Sequence, residues 1–401
     1  MNAKMRKIYI LLLLLLFCLG GMYAQSPFNQ MQWSLEGNVF FGNILKPDDF
    51  VRDMLRDGSV RTFDLRLGYT ELKPSAYTSG YNYPRLGLGV SLLDCSDVKM
   101  MEAPYSMGNI YSLYFFFDGT LIRYKRWRFD SMLSSGLSYN TDTFDRKEAP
   151  NKYFSSSPVM VYIGAELGLG YLLADRLEIS ANVDGKHFSN GRMGIMNKGI
   201  NIFGGSLSMQ YYFSTLESDY PHSGALPFKK HFYYHVSAGG GVQTYLEDME
   251  IYWHTDQWQD GLLKEKLYPK YFVSSDAMYR LSRFYGCGIG IDVFYIPHTE
   301  SFRKADEVAL GEAAAGLKYN SWSVGTAINQ ELYYNNLALT ASLGYYLYRE
   351  LGDRKDEKPI YQKFGLRYYL PEVGNLFAGF NIKAHEFNKA EYFELAVGKK
   401  F

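Results

Sequence analysis

His187 and Ser189 sit two residues apart and are followed at once by Asn190 and Gly191. These are the residues of the chain whose types and spacing suit chemistry. A serine hydroxyl is a weak nucleophile until a neighbouring base takes its proton, and an imidazole is the commonest such base. The base needs a third group to fix its tautomer and orientation. Asn201 is the candidate for that role. Asn190, Gly191 and the amides of the following loop are candidates to hold an oxyanion. The chemistry spelled by this set is acyl transfer through a serine. The chain has no G-x-S-x-G elbow and no Cys/His spacing suited to zinc.

The elements that must position these residues are two alternating runs between Leu177 and Phe213. In the first, Leu177, Ile179, Ala181 and Val183 point one way, and Glu178, Ser180, Asn182, Asp184 and Lys186 the other. That is a strand with one apolar and one polar face. The same parity puts His187 and Ser189 on the apolar face. In the second run Asn201 shares the parity of Phe203, Leu207, Met209 and Tyr211. A polar trio therefore projects from the rim of an apolar face. Glu166, Glu178 and Asp184 all have the opposite parity, so no carboxylate joins it.

The whole chain repeats this style. It has 36 Tyr, 27 Phe and 38 Gly with zero net charge, which suits a barrel with aromatic girdles and excludes the basic excess a nucleic-acid binder needs. Lys4, Arg6 and Lys7, an apolar run from Ile8 to Leu19, and Ala24 before Gln25 read as a secretory leader, residues 1–24. Strands are predicted near 31–41, 61–70, 83–93, 107–118, 127–139, 158–173, 177–189 and 201–213. Residues 25–213 thus form a first barrel half carrying the H-x-S-N site, and 214–230 reads as a linker. Long polar connections at 42–60, 140–157 and 190–200 contrast with the short turn at Ala174-Asp175-Arg176, as outside loops contrast with periplasmic turns.

The second half, 231–401, gives nine candidate strands: 231–245, 268–279, 283–296, 308–318, 322–332, 335–347, 360–370, 376–385 and 391–401. A bacterial barrel has an even total, so one within 308–332 is expected to drop out. The expectation is an all-β, transmembrane antiparallel outer-membrane barrel of about sixteen strands, one unit or two of eight. The last strand ends on an aromatic, Phe401, as barrels recognised by the assembly machinery do. The halves echo each other, with Lys186-His187-Phe188 against Lys383-Ala384-His385. Parity places His385 in the lumen, near a partner such as Glu394, rather than at a second site. Cys95 and Cys287 have no role readable from sequence.

The stretch His187-Phe188-Ser189-Asn190, then Asn197-Lys198-Gly199-Ile200-Asn201, then a strand ending Tyr211-Tyr212-Phe213, resembles the lipid A 3-O-deacylase family of outer-membrane β-barrels. Its Bacteroidetes-type long relatives are labelled acyloxyacyl hydrolases. The second half resembles only those, through Lys383-Ala384-His385 and Lys389-Ala390-Glu391-Tyr392. The resemblance implies an outer-membrane esterase that removes an ester-linked acyl chain from the lipid A of lipopolysaccharide, with Ser189 as nucleophile and His187 as base. Asn190, Gly191 and Asn197 would support the oxyanion. The implied partners are lipopolysaccharide, outer-membrane lipid and the barrel-assembly machinery, with no nucleic acid. One departure stands out: the family's Glu falls where this chain has Asn201. An Asn can orient a His but cannot neutralise an imidazolium. Two alternatives remain open at this point. One is a catalytically silent barrel with a structural, lipopolysaccharide-binding or transport role. The other is a phospholipase with the same nucleophile chemistry.

Overall fold

Alternating strands expose a row of backbone groups on each edge, and in lipid those groups are satisfied only if the sheet closes on itself. The computed structural model of the protein describes residues 31–46, 48–100, 107–143, 154–215, 220, 227–245, 266–353, 358–386 and 389–401. The leader, much of the 214–230 connection and parts of the long loops lie outside these residues. The first half closes as β1 (Met31–Ile44), β3 (Ser59–Glu71), β4 (Arg85–Asp94), β6 (Ile110–Tyr124), β7 (Trp127–Asn140), β8 (Val159–Ala174), β9 (Leu177–Ser189) and β10 (Ile200–Tyr212), with β10 returning to pair β1. The second closes as β11 (His231–Gln243), β12 (Tyr268–Arg280), β13 (Tyr285–Tyr295), β14 (Trp322–Tyr334), β15 (Leu337–Tyr348), β16 (Ile360–Leu370), β17 (Leu376–His385) and β18 (Lys389–Lys400), with β18 pairing β11. The sixteen expected strands are thus two closed antiparallel barrels of eight. A short ribbon of β2 (Leu55–Asp57) and β5 (Lys99–Met100) joins two of the first barrel's loops.

Among the described residues there are also three short α-helices: α1 (Asp49–Met54), α2 (Ala76–Gly80) and α3 (Thr299–Leu310). The candidate strand at 308–318 is not a strand. Its start is the end of α3, which runs on into a 3-10 turn at Gly311–Gly316. The period there is helical, because Phe302, Ala305 and Asp306 share the buried face while Arg303 pairs with Glu300 and Glu307 in water. Phe302 packs with Tyr245, Tyr268, Ile296 and Leu351 over the loop end of the second barrel.

Eight strands leave room for side chains but not for a channel. Inward residues of the first barrel are charged and paired. Arg66 Nη1 donates to Glu36 at 2.8 Å and its Nη2 to Glu166 at 2.7 Å. Lys186 Nζ meets Asp64 at 3.1 Å, and Arg128 meets Glu178 at 2.9 Å. In the second barrel Arg367 binds Glu331 at 2.6 Å and Lys363 binds Asp292 at 2.7 Å. Outward residues are apolar and exposed: Leu137, Leu207, Ile289 and Leu395 are examples. Aromatic pairs such as Trp127–Tyr171 and Tyr295–Trp322 lie at strand ends, where an amphipathic ring suits a lipid–water boundary. Cys95 and Cys287 are both free, and burial pushes the Cys95 thiol up to about 12.

The long connections gather at the end of the barrels where β9 finishes, and most connections at the other end are tight. Within a barrel, the 72–84 segment is the exception at the tight end. It carries α2, whose Ser75–Thr78 capping box starts one turn of helix. That turn reaches the second barrel: Tyr77 lies edge-on to Phe284, and Tyr81 OH donates to the Tyr333 carbonyl at 3.0 Å.

Leu207 sits near the middle of β10 and is 67% exposed. In a soluble protein Leu207→Arg would be harmless. On a lipid face it is expected to cost about 2–4 kcal/mol. Folding titrations into lipid vesicles check this, and an unchanged midpoint would contradict the lipid-facing assignment.

Candidate active site

β9 and β10 pair so that His187 stands directly opposite Asn201. Directly opposed residues share a face and bring their side chains together. His187 Nδ1 and Asn201 Oδ1 are 2.7 Å apart. An amide oxygen only accepts, so Nδ1 carries the ring proton and Nε2 keeps a lone pair. Lys186, Phe188 and Ile202, the neighbours on either side, are buried in the lumen, while His187 and Asn201 are half-buried on the outside. Among the described residues, His187 has no hydrogen bond except that to Asn201. Glu166, Glu178 and Asp184 lie on the lumen side, as their parity predicts.

Ser189, opposite Val161 of β8, ends β9 with the parity of the outward face but is itself buried, at 6% exposure. Its hydroxyl does not meet His187. Oγ donates to Asn197 Oδ1 at 3.1 Å and accepts from the Gly191 amide at 3.1 Å. Asn197 Oδ1 also accepts from the Asn190 amide at 3.1 Å. The side chain of Asn190, one of the candidates to support an oxyanion, is fully buried as a brace. Its Nδ2 donates to the Met196 carbonyl at 2.9 Å and to Ser155 Oγ at 3.1 Å, and its Oδ1 accepts from the Arg192 amide at 3.0 Å. Gly191 thus supplies the one loop amide aimed at Ser189.

Sequence reasoning missed Gly199. A Cβ there would stand 3.3 Å from His187 Cε1 and 4.0 Å from Ser189 Cβ. The glycine thus sits against both side chains without adding one of its own. Among the described residues no group of three His, Cys, Asp or Glu gathers as a metal site.

Among the described residues the second barrel has no such pair. Where β9 has His187 opposite Asn201, β17 and β18 place Ala384 opposite Ala390. His385 is in the lumen as expected, but its partner is Glu391, at 2.9 Å from Nε2, and not Glu394. A bulge between Lys383 and Ala384 leaves Glu391 as an extra residue and turns it inward. Glu394 lies further along and accepts from Tyr392 OH at 2.8 Å.

Residues 232–401 match the family model described as acyloxyacyl hydrolase, C-terminal domain. The match covers the second barrel, which is less than half of the chain. His187 and Ser189 lie outside the matched residues. Among solved structures, Neisserial surface protein A is 12% identical, covering 45% of this chain and 97% of its own, with a TM-score of 0.29. A mutant porin of Rh. blastica is 8% identical over 92% of this chain and 100% of its own, with a TM-score of 0.16. The architecture rests on the closed strand order and not on those likenesses. No curated protein matches the chain.

Asn197 holds both Ser189 and the Asn190 amide, so Asn197→Ala is expected to open the loop. The loss of a buried acceptor, about 1–3 kcal/mol, corresponds to amide exchange at Asn190 and Gly191 faster by roughly tenfold or more. Asn197→Asp keeps the acceptor and should keep the protection. Equal exchange in all three proteins would show that Asn197 does not hold the loop.

Proposed function

We propose that the protein is an outer-membrane esterase that removes an ester-linked acyl chain from the lipid A of lipopolysaccharide. The observation that carries this reading is His187 Nδ1 held at 2.7 Å by Asn201 on a lipid-facing strand end, with Ser189 two residues along the same face. Polar side chains on a lipid face are costly unless they are used. With tight turns in the periplasm and long loops outside, the pair lies at the outer leaflet, where lipopolysaccharide presents its ester bonds. The leader would export the chain, and the barrel-assembly machinery would insert it.

In this reading Ser189 Oγ turns from Asn197 to His187 and attacks the ester carbonyl carbon while Nε2 takes its proton. The carbonyl π pair moves onto oxygen, and the Gly191 amide donates to that oxyanion. When the tetrahedral species collapses, the sugar-side oxygen leaves and takes the proton from Nε2. Water, deprotonated by the same nitrogen, then cleaves the acyl-serine and releases the fatty acid. Asn201 fixes the tautomer throughout but brings no charge to the imidazolium.

A second reading, a catalytically silent barrel that binds lipopolysaccharide, is favoured by one observation: the Ser189 hydroxyl is engaged with Asn197 and Gly191 rather than with His187. The paired charges that fill both lumens leave the transport form of that reading without a pathway.

Purified protein in detergent, assayed on lipopolysaccharide, separates the two. Ser189→Ala and His187→Ala are expected to lose all fatty-acid release while migrating as folded barrels, and His385→Gln, in the other lumen, should keep it. Release that survives in Ser189→Ala would remove this site from the account. Asn201→Glu is expected to raise turnover roughly tenfold or more, because an anion at a low-dielectric face stabilises the imidazolium. A loss of activity in a folded Asn201→Glu protein would show that Asn201 does not occupy the acid's place.

A further inference from the structure

We propose that the second barrel completes the serine site of the first: Phe393 and Thr244 are positioning residues that hold the Gly191 amide on Ser189. This rests on the esterase reading above. The loop that follows Ser189 does not end in solvent. Gly191 has φ of 57°, and a Cβ on it would fall 2.0 Å from Phe393 Cε2 and 2.3 Å from Cζ. The glycine therefore lies flat on a ring of β18, and no other residue type fits there. That ring is backed by Phe380, with centroids 5.5 Å apart and planes 26° from parallel. One residue on, the Arg192 carbonyl accepts from the Thr244 amide at 2.6 Å and from Thr244 Oγ1 at 3.0 Å. Thr244, just past the end of β11, is buried. The backbone on either side of the Gly191–Arg192 link is thus pinned, by a ring on one residue and by two donors on the next.

The pinned segment carries the one amide aimed at Ser189 Oγ. An oxyanion formed at the ester carbon lies two bonds from Oγ, within reach of the same N–H. Holding that N–H in place before the reaction is what lowers the barrier, so a ring on another barrel can matter to the chemistry without touching substrate. The same device recurs at the opposite end of the two barrels. A Cβ on Gly80 of α2 would fall 2.2 Å from the Phe284 ring. The two barrels are fastened at both ends by a first-barrel glycine against a second-barrel phenylalanine, and the upper fastening is at the serine. This gives a role to a barrel that has Ala384 and Ala390 where the first has His187 and Asn201.

The test uses the full chain in detergent with lipopolysaccharide as substrate. Phe393→Ala is expected to lower kcat by roughly tenfold to hundredfold with KM unchanged, and to speed amide exchange at Gly191. Phe393→Tyr, which keeps the ring, should restore both. Leu395→Ala, on the same face of β18, should change neither. If Phe393→Ala does not assemble, Thr244→Val, which removes a single donor to Arg192, is expected to lower kcat roughly fivefold. Wild-type kcat in folded Phe393→Ala or Thr244→Val, with Ser189→Ala inactive, would overturn the proposal and leave the esterase reading standing. Unchanged Gly191 exchange in Phe393→Ala would overturn it as well. A wild type no more active than Ser189→Ala would defeat the esterase reading, and the proposal with it.

Discussion

Each backbone N–H and C=O on these strands needs a partner, because lipid supplies none. Closure follows, and with eight strands per barrel closure fixes the rest. The lumen is narrow enough for side chains to touch across it. Arg66, Arg85, Arg128 and Lys186 lie there with Glu36, Asp64, Asp118 and Glu178 as partners. A buried charge left without its partner costs about 3–5 kcal/mol, so these carboxylates belong to the fold and are not free for chemistry. What remains for function is the outside of the rim, and there the chain places His187, Ser189 and Asn201.

Magnitudes separate the two obstacles to catalysis at that rim. Turning Ser189 away from Asn197 gives up one hydrogen bond, about 0.5–1.5 kcal/mol, which slows a reaction by roughly tenfold at most. Lacking a carboxylate behind the histidine is far more costly. In a serine protease the corresponding Asp→Asn change lowers turnover ~10⁴-fold. In the proposed mechanism the hydroxyl's resting position is therefore a minor barrier, and the amide at Asn201 would set the ceiling on rate. A loop that holds Gly191 firmly against Ser189 becomes more important under such a ceiling, since oxyanion stabilisation is then the largest contribution left.

Strand parity was legible because period two is written in side chains: Leu177 through Val183 alternate with Glu178 through Asp184, and the lumen and lipid faces divide accordingly. Parity also found the rim trio, since it needs only counting. It failed where the count is broken. Residues 308–318 contain small residues whose alternation is accidental, and the helical spacing that decides the matter, Phe302 with Ala305 and Asp306, lies upstream. The bulge at Lys383/Ala384 shifts parity by one and exchanges Glu394 for Glu391 as the partner of His385. The resting hydrogen bonds of Ser189 were illegible for another reason. Both depend on the path of the 190–199 loop, which Ser155 and the second barrel brace from far along the chain.

The central claim is that a Ser/His pair on the lipid face of the first barrel cleaves acyl esters of lipid A. Mass spectrometry of lipid A tests it most directly, on cells expressing the wild type, Ser189→Ala or no copy of the protein. The account predicts a species lighter by one ester-linked acyl chain in wild-type cells alone. Identical lipid A from all three, with the wild-type barrel present in the outer membrane, would contradict it.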